Sequence, residues 1–456
     1  MTPHAFVLLI ALSHLIPNLM RAGEVPGLTM VVIRNHRIAS HQAFGVANRE
    51  TREPLTEHHV FEAASLTKPV FAYAVLKLVD AGTLSLDVPL SDYLPEPVTD
   101  ERMKRITARM VLSHTTGFQN EVMPGDTLRV HFTPGSRFSY SGAGYLYLER
   151  VVEHVTGKDL SSLMNELVFA PLDMRDSSYI WLPDYEQRKV YGHTPASVVA
   201  PRRKPSQGTI ATFHTTALDY ARFVVAVLNG TGLKPATWRA MLTTQSHIDE
   251  SCFTCLTSHA GRISPSLSWG LGWGLEQTKR GTAFFHWGDN NAEFQHFVIG
   301  YKDGDGLVVL TNSGNGLSIM PEIVNAVIGG QHPAFAWMGY GSYRSPDKLL
   351  LRDILRRGAT RALQAGSANT LPERDINRIG YNLLQRKRVQ DAIAVFRLNA
   401  RRFPQSFNVF DSLGEAYAAA GDFADAVANY KRSLELNPEN TNAKEMLQKL
   451  SPDVRR

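Results

Sequence analysis

Cysteine is almost missing from this chain: Cys252 and Cys255 are the two among 456 residues. A disulfide framework is thereby excluded, and a chain of this length buries a full core without one. Long apolar runs are missing as well. The longest near the start, Ala5–Leu12, falls far short of the roughly 18–20 residues that cross a bilayer, so no transmembrane segment is expected. Neither sign of charge dominates, with Lys plus Arg at 48, Asp plus Glu at 43 and a net charge of +5. From Pro346 onward 19 basic residues face 13 acidic ones, so the tail carries +6 and the first 345 residues −1. A near-neutral body is no electrostatic footprint for nucleic acid, and the tail's surplus is spread along helical stretches. Apolar residues make up 43% and charged residues 20%, which excludes disordered and collagen-like chains. The length suits about three folding units, or two if one is large.

No Lys or Arg precedes Ala5–Leu12 and no convincing small-x-small cleavage site follows it, so a signal peptide is poorly supported. Leu12, Leu15, Ile16, Leu19 and Met20 continue it at helical spacing, the face of a first helix of the folded domain. Leu28–Ile33 and Ile38–Val46 read as a hairpin turning at Asn35-His36, and Pro69–Ala81 as a helix ended by Gly82. Residues 87–229 alternate short helices with loops. Strand patterns return at Trp269–Glu276, Thr282–His286, Phe294–Gly300 and Leu307–Thr311, followed by a helix near Ser318–Val327. Strands at both ends with helices between predict an α+β fold: one antiparallel sheet flanked by helices, with an inserted helical subdomain.

The tail differs in kind. Gly380 and Gly414, Ala392 and Ala426, and Pro404 and Pro438 are each 34 residues apart. Small residues suit close helix crossings, and proline ends each second helix. The period resembles tetratricopeptide repeats, an all-α tail over residues 371–456 that would serve as a docking surface for a protein partner. Two full repeats are fewer than the three usually needed, so helices at Asn442–Leu450 and Asp347–Gln364 are expected to cap them.

The sharpest chemical signal is Ser65-Leu66-Thr67-Lys68-Pro69. Three residues apart on a helical turn, Ser65 and Lys68 share a face. A serine hydroxyl needs a base within reach, and a lysine serves once burial or a nearby charge lowers its pKa. The bland alternative is a capping serine followed by a surface lysine. Two more segments outweigh it: Phe138-Ser139-Tyr140-Ser141-Gly142 leading into an apolar helix, and His286-Trp287-Gly288-Asp289 at the end of a strand.

With these three motifs in order, residues 10–330 resemble the serine beta-lactamase and penicillin-binding-protein-like hydrolases, and most closely the class C branch. The resemblance implies that Ser65 is the acylated nucleophile and that Lys68 and Tyr140 share the proton transfers. A nearby Lys68 cation would favour the Tyr140 phenolate, and which of the two is the base stays open. His286 stands where many relatives have lysine, and Gly288 keeps the strand edge clear for substrate. The N–H groups of Ser65 and Asp289 would form the oxyanion hole. By the same resemblance the protein would be periplasmic or secreted. Gly142 replaces a usual asparagine and Trp287 a frequent threonine, which points away from efficient antibiotic hydrolysis and towards an ester or amide.

Other features carry blander readings. His114 reads as a hydrogen-bonded structural residue, Cys252 and Cys255 as loop thiols that would be bridged on export, and Trp269–Trp273 as a packed strand. Glu57-His58-His59 and Gly142-Ala143-Gly144 lack the settings of metal and nucleotide sites, so no cofactor is expected. The sequence therefore predicts a serine hydrolase domain at 1–335, a linker and helix at 336–370, and repeats at 371–456. Its rivals are a D-amino-acid or cell-wall peptidase, and an inactive scaffold acting through the repeats.

Overall fold

In a computed structural model the described residues are 3–450 other than 96, 97, 99, 123–126, 258–260, 291, 292, 365 and 367, with side chains from residue 12 onward. The helix Pro3–Gly23 opens the chain and buries Leu12, Ile16, Leu19 and Met20. The remainder of the Ala5–Leu12 side chains lies outside the described residues. Two strands follow, β1 (Gly27–Arg34) and β2 (Arg37–Asn48). Asn35 and His36 turn between them at φ +49° and +63°, the left-handed pair that a two-residue hairpin of matching twist requires.

Then come β3 (Glu53–Pro54), β4 (Phe61–Glu62), β5 (His214–Thr215), β6 (Ser246–Asp249), β7 (Ile263–Trp269) and β8 (Gly274–Thr278). Three long strands close the series: β9 (Gly281–Asn290), β10 (Phe294–Tyr301) and β11 (Gly306–Thr311). Among the described residues they form a nine-stranded sheet ordered β3-β2-β1-β11-β10-β9-β8-β7-β6, with a separate β4-β5 pair. Every pairing is antiparallel, and β1 joins β11 from Leu28↔Thr311 to Ile33↔Gly306. The two ends of the domain thus build one sheet, as the strand pattern implied, with helices such as Thr67–Asp80, Gly142–Thr156 and Ala217–Asn229 drawn from between them.

One expected strand is corrected. Trp269–Glu276 is the end of β7, a tight turn and the start of β8, because Gly270 approaches the Met241 carbonyl and Gly272 takes φ +87°. The turn is fixed from inside, where Gly272 N–H donates to Leu112 O at 2.8 Å.

The chain divides into compact units at Met1–Tyr340 and Gly341–Arg456. The second is all helical. Its paired helices Glu373–Gln385 with Val389–Arg402, and Phe407–Ala420 with Phe423–Leu436, are followed by Thr441–Leu450. The helix expected over Asp347–Gln364 is two, Pro346–Arg357 and Ala359–Gln364, broken at Gly358 with φ +85°. The small residues sit at crossings: a Cβ on Gly380 would meet the Phe396 ring at 2.4 Å, and one on Gly414 the Tyr430 ring at 3.1 Å.

Candidate active site

Ser65 sits at a chain reversal. β4 leads into a single 3-10 turn, Ala64–Leu66, and then into the helix Thr67–Asp80. Ala64 takes φ +50°, a region that disfavours any residue with a Cβ and costs on the order of 1–3 kcal/mol. Fixed neighbours hold it there. Ala63 N–H donates to Phe213 O, and the Tyr220 hydroxyl donates to Leu66 O, both at 2.9 Å. Pro69 falls in the first helical turn, where its missing N–H removes no bond, and Lys68 is helical despite the proline after it. One turn apart, Lys68 Nζ and Ser65 Oγ are 3.0 Å from each other. Lys68 is 8% exposed on a helix whose next residues, Pro69 to Leu76, are all buried. That burial lowers its pKa from 10.5 to about 8, with the Glu121 carboxylate pulling the other way.

Tyr140 enters from the segment before the helix Gly142–Thr156. Its N–H donates to Phe253 O at 3.0 Å, while Ser139 N–H donates to His114 O and Ser141 N–H to His114 Nδ1. The Ser141 hydroxyl caps the helix by accepting from Gly144 N–H. Lys68 Nζ lies 5.1 Å from the centre of the Tyr140 ring. The expected phenolate does not follow. Burial pushes the Tyr140 pKa above its ordinary 10, and Ser65 opposes this only in part. In the space available, Tyr140 is a neutral phenol.

The third motif forms the last part of β9, at the end of a strand as expected. β8 pairs with β9 only as far as Gly274↔Phe285, so His286–Asn290 continue beside the Ala64–Leu66 turn. His286 donates from Nδ1 to Trp287 O at 2.7 Å, which leaves Nε2 without a proton, buried and unpartnered. Burial and the Lys68 charge lower its pKa to about 3, so this ring is uncharged at neutral pH. A Cβ on Gly288 would stand 2.7 Å from Ala63 O and 3.0 Å from His296 Cδ2, so a side chain there would push β9 off the Ala64–Leu66 turn. The Asp289 carboxylate accepts from the Tyr340 hydroxyl at 2.8 Å. Glu62 binds Asn290 and pairs with Arg202 at 3.3 Å and Arg203 at 3.0 Å, which ties β4 to the end of β9.

Ser65, Lys68, Tyr140 and His286 are thus brought together, with Gly288 and Asp289 along the adjoining strand. Gly142 is set by a close approach. A Cβ there would meet Asn120 O at 2.8 Å, so no asparagine fits without moving that backbone. His114 is the hydrogen-bonded residue that the sequence predicted, but sequence reasoning did not place it, or two loop residues, beside Tyr140. His114, at φ +55°, stacks on its ring at 4.2 Å and accepts the Ser141 N–H. Phe253 lies between Cys252 and Cys255, which form a disulfide, and Trp337 packs edge-on to Trp287 at 5.8 Å. The aromatic residues in these loops were the available signal, but nothing local shows which ring they meet.

The beta-lactamase family model matches residues 12–322, and a tetratricopeptide-repeat model matches residues 407–440. Penicillin-binding protein 4 of Amycolatopsis lactamdurans is 27% identical over 334 residues, which span 67% of this chain and 86% of that protein. Esterase EstB of Burkholderia gladioli is 32% identical over 192 residues, 35% of this chain and 49% of the esterase. Among solved structures, the fold is similar to the octameric penicillin-binding protein homologue from Pyrococcus abyssi, with TM-score 0.59, 19% identity and coverage of 76% and 82%. It is likewise similar to the D-alanine carboxypeptidase AmpC from Burkholderia cenocepacia, with TM-score 0.60, 19% identity and coverage of 71% and 99%. The chain belongs to the beta-lactamase family of hydrolases.

Proposed function

We propose that this member of the family is a serine hydrolase that cleaves an ester or amide through an acyl-enzyme on Ser65. The observation that carries the reading is the 3.0 Å approach of Lys68 Nζ to Ser65 Oγ by a lysine whose pKa burial has lowered to about 8. A neutral Lys68 takes the Ser65 proton as Oγ attacks the substrate carbonyl carbon, and the carbonyl electrons move to oxygen. The N–H groups of Ser65 and Asp289 stabilise that oxyanion, a role that the run of β9 past the nucleophile turn supports. Collapse of the tetrahedral intermediate breaks the bond to the leaving group. The leaving group takes a proton from the Tyr140 phenol, which Lys68 then replenishes. Water repeats the sequence on the acyl-enzyme: it gives a proton to the same pair, and Ser65 Oγ leaves as the hydroxyl.

The departures shape the substrate class. With His286 uncharged and Trp287 beside it, the strand edge offers no fixed cation to a substrate carboxylate, which favours simple esters and amides over carboxylate-bearing lactams. The helical repeats are the proposed docking surface for a protein partner. A fluorophosphonate probe on the full chain, with turnover of p-nitrophenyl esters, D-Ala-D-Ala peptides and nitrocefin, tests the reading. Labelling at Ser65, ester turnover lost in Ser65→Ala and poor turnover of the other two substrates are the expected results. An unlabelled chain that turns over nothing would leave the scaffold reading in its place.

A further inference from the structure

The Tyr140 ring is held between two stacked partners. His114 lies 4.2 Å away at 28° and Phe253 4.6 Å away at 28°. Two rings so near could not share one face, so His114 backs Tyr140 on one side and Phe253 covers the other. His114 is fully buried in the domain, whereas Phe253 is partly exposed. Phe253 also meets Trp287 at 5.3 Å and Trp337 at 5.6 Å, so the covered side of Tyr140 continues into an aromatic wall.

The loop that carries Phe253 is fastened at each end. Cys252 and Cys255 close it with a disulfide, Cα to Cα 5.5 Å. Arg137, three residues before Tyr140, donates to Cys255 O and Leu256 O, both at 3.0 Å, and Phe253 O accepts the Tyr140 N–H at 3.0 Å. The loop is therefore bound to the second-motif segment through both backbone and ring. The disulfide between Cys252 and Cys255 closes a short ring around Phe253, which leaves the phenylalanine little freedom to move away.

We infer that Phe253, presented by the disulfide-closed loop, positions Tyr140 and forms with Trp287 and Trp337 an apolar wall that selects aromatic leaving groups. The inference rests on the serine-hydrolase reading, in which Tyr140 gives its proton to the departing oxygen or nitrogen. Phe253, which covers Tyr140 on the side away from His114, then lies beside the leaving group. Stacked and edge-on rings at these distances favour an aryl or aralkyl alcohol or amine over a short alkyl one.

The test compares propyl acetate with 3-phenylpropyl acetate, whose alcohols have similar acidity, on the full chain. The unaltered protein is expected to favour the phenylpropyl ester in kcat/KM by about tenfold. Phe253→Ala should reduce that preference to about twofold, mainly through KM for the phenylpropyl ester, and Phe253→Tyr should restore it. Cys252→Ser with Cys255→Ser should weaken the preference in the same direction, with folding followed by thermal melting. Ser65-dependent turnover whose preference survives Phe253→Ala, or which falls equally for both esters, would overturn this inference and leave the hydrolase reading intact. Absence of any Ser65-dependent turnover or labelling would overturn both.

Discussion

In the proposed mechanism the pH dependence of acylation turns on how strongly Lys68 is buried. Its pKa falls from 10.5 to about 8 because the ammonium has been taken out of water, with Glu121 acting in the opposite direction. At pH 7 an amine of pKa about 8 is about one-tenth neutral, whereas at 10.5 it would be about three parts in ten thousand. Burial therefore raises the competent fraction of base about 300-fold, which corresponds to about 3 kcal/mol. Initial rates on a p-nitrophenyl ester, corrected for spontaneous hydrolysis, should give a kcat/KM that climbs about tenfold per pH unit below 7 and levels off above about 8. Lys68→Arg keeps a cation that does not deprotonate in this range, and should lose on the order of a thousandfold or more while the chain still melts cooperatively. If Tyr140 were the base, its raised pKa would carry the rise past pH 10 with no plateau near 8. A flat profile from pH 6 to 9, or one that is still rising at pH 10, would refute the assignment of Lys68.

The same burial has a cost in stability with a definite sign. Below about pH 8 Lys68 is charged in both states, and the folded state bears the full penalty; between about 8 and 10.5 the unfolded chain holds a proton that the folded one has lost, so stability rises with pH. Lys68→Met should accordingly stabilise the domain at pH 7 by up to about 3 kcal/mol in denaturant titrations, while abolishing turnover. Glu62→Gln leaves Arg202, whose side chain is 2% exposed, without its carboxylate, and should cost about 3–5 kcal/mol in the same titration. Gly142→Asn, which installs the usual family residue, should lower the melting temperature and give no gain in nitrocefin turnover, because Asn120 O occupies the space. In the tail, Gly380→Ala drives a methyl into the Phe396 ring and should lower its unfolding transition by about 1–3 kcal/mol, whereas Gly414→Ala, against a ring at 3.1 Å, should be close to neutral.

What was legible in the sequence was what local chemistry settles. Asn35-His36 can take the two left-handed conformations of a tight hairpin, and the apolar runs at 28–33 and 307–311 suit a buried central pair, which β1 and β11 form. The order Ser65, Tyr140, His286 follows the chain through three elements that the fold does bring to one place. Illegible were the features that depend on distant close approach. Trp269–Glu276 reads as one apolar strand until Leu112 O pins Gly272 into a turn, and Asp347–Gln364 reads as one helix until Gly358 leaves helical geometry. The rings around Tyr140 come from positions 114, 253, 269, 286 and 287, and no spacing relates them. The motif likewise leaves open which of Lys68 and Tyr140 is the base, since it specifies the pair but not the depth at which each is buried.

That depth links the departures from the family pattern to one another. Gly142 and His286 each withdraw a polar or cationic group from around Lys68: the first because Asn120 fills the space, the second because its ring is too buried to charge. A lysine in the second position would add a like charge near Lys68 and lower the pKa of one of the two further. Here Lys68 instead shares its surroundings with two neutral imidazoles and a neutral phenol, so desolvation is the main influence on its pKa, opposed by the Glu121 carboxylate. A site tuned mainly by exclusion of water works best on a substrate that brings no charge of its own. On the inference drawn above, the aromatic lining of Phe253, Trp287 and Trp337 and the neutrality of His286 are two aspects of one requirement, that the leaving group be apolar enough to keep the lysine dry.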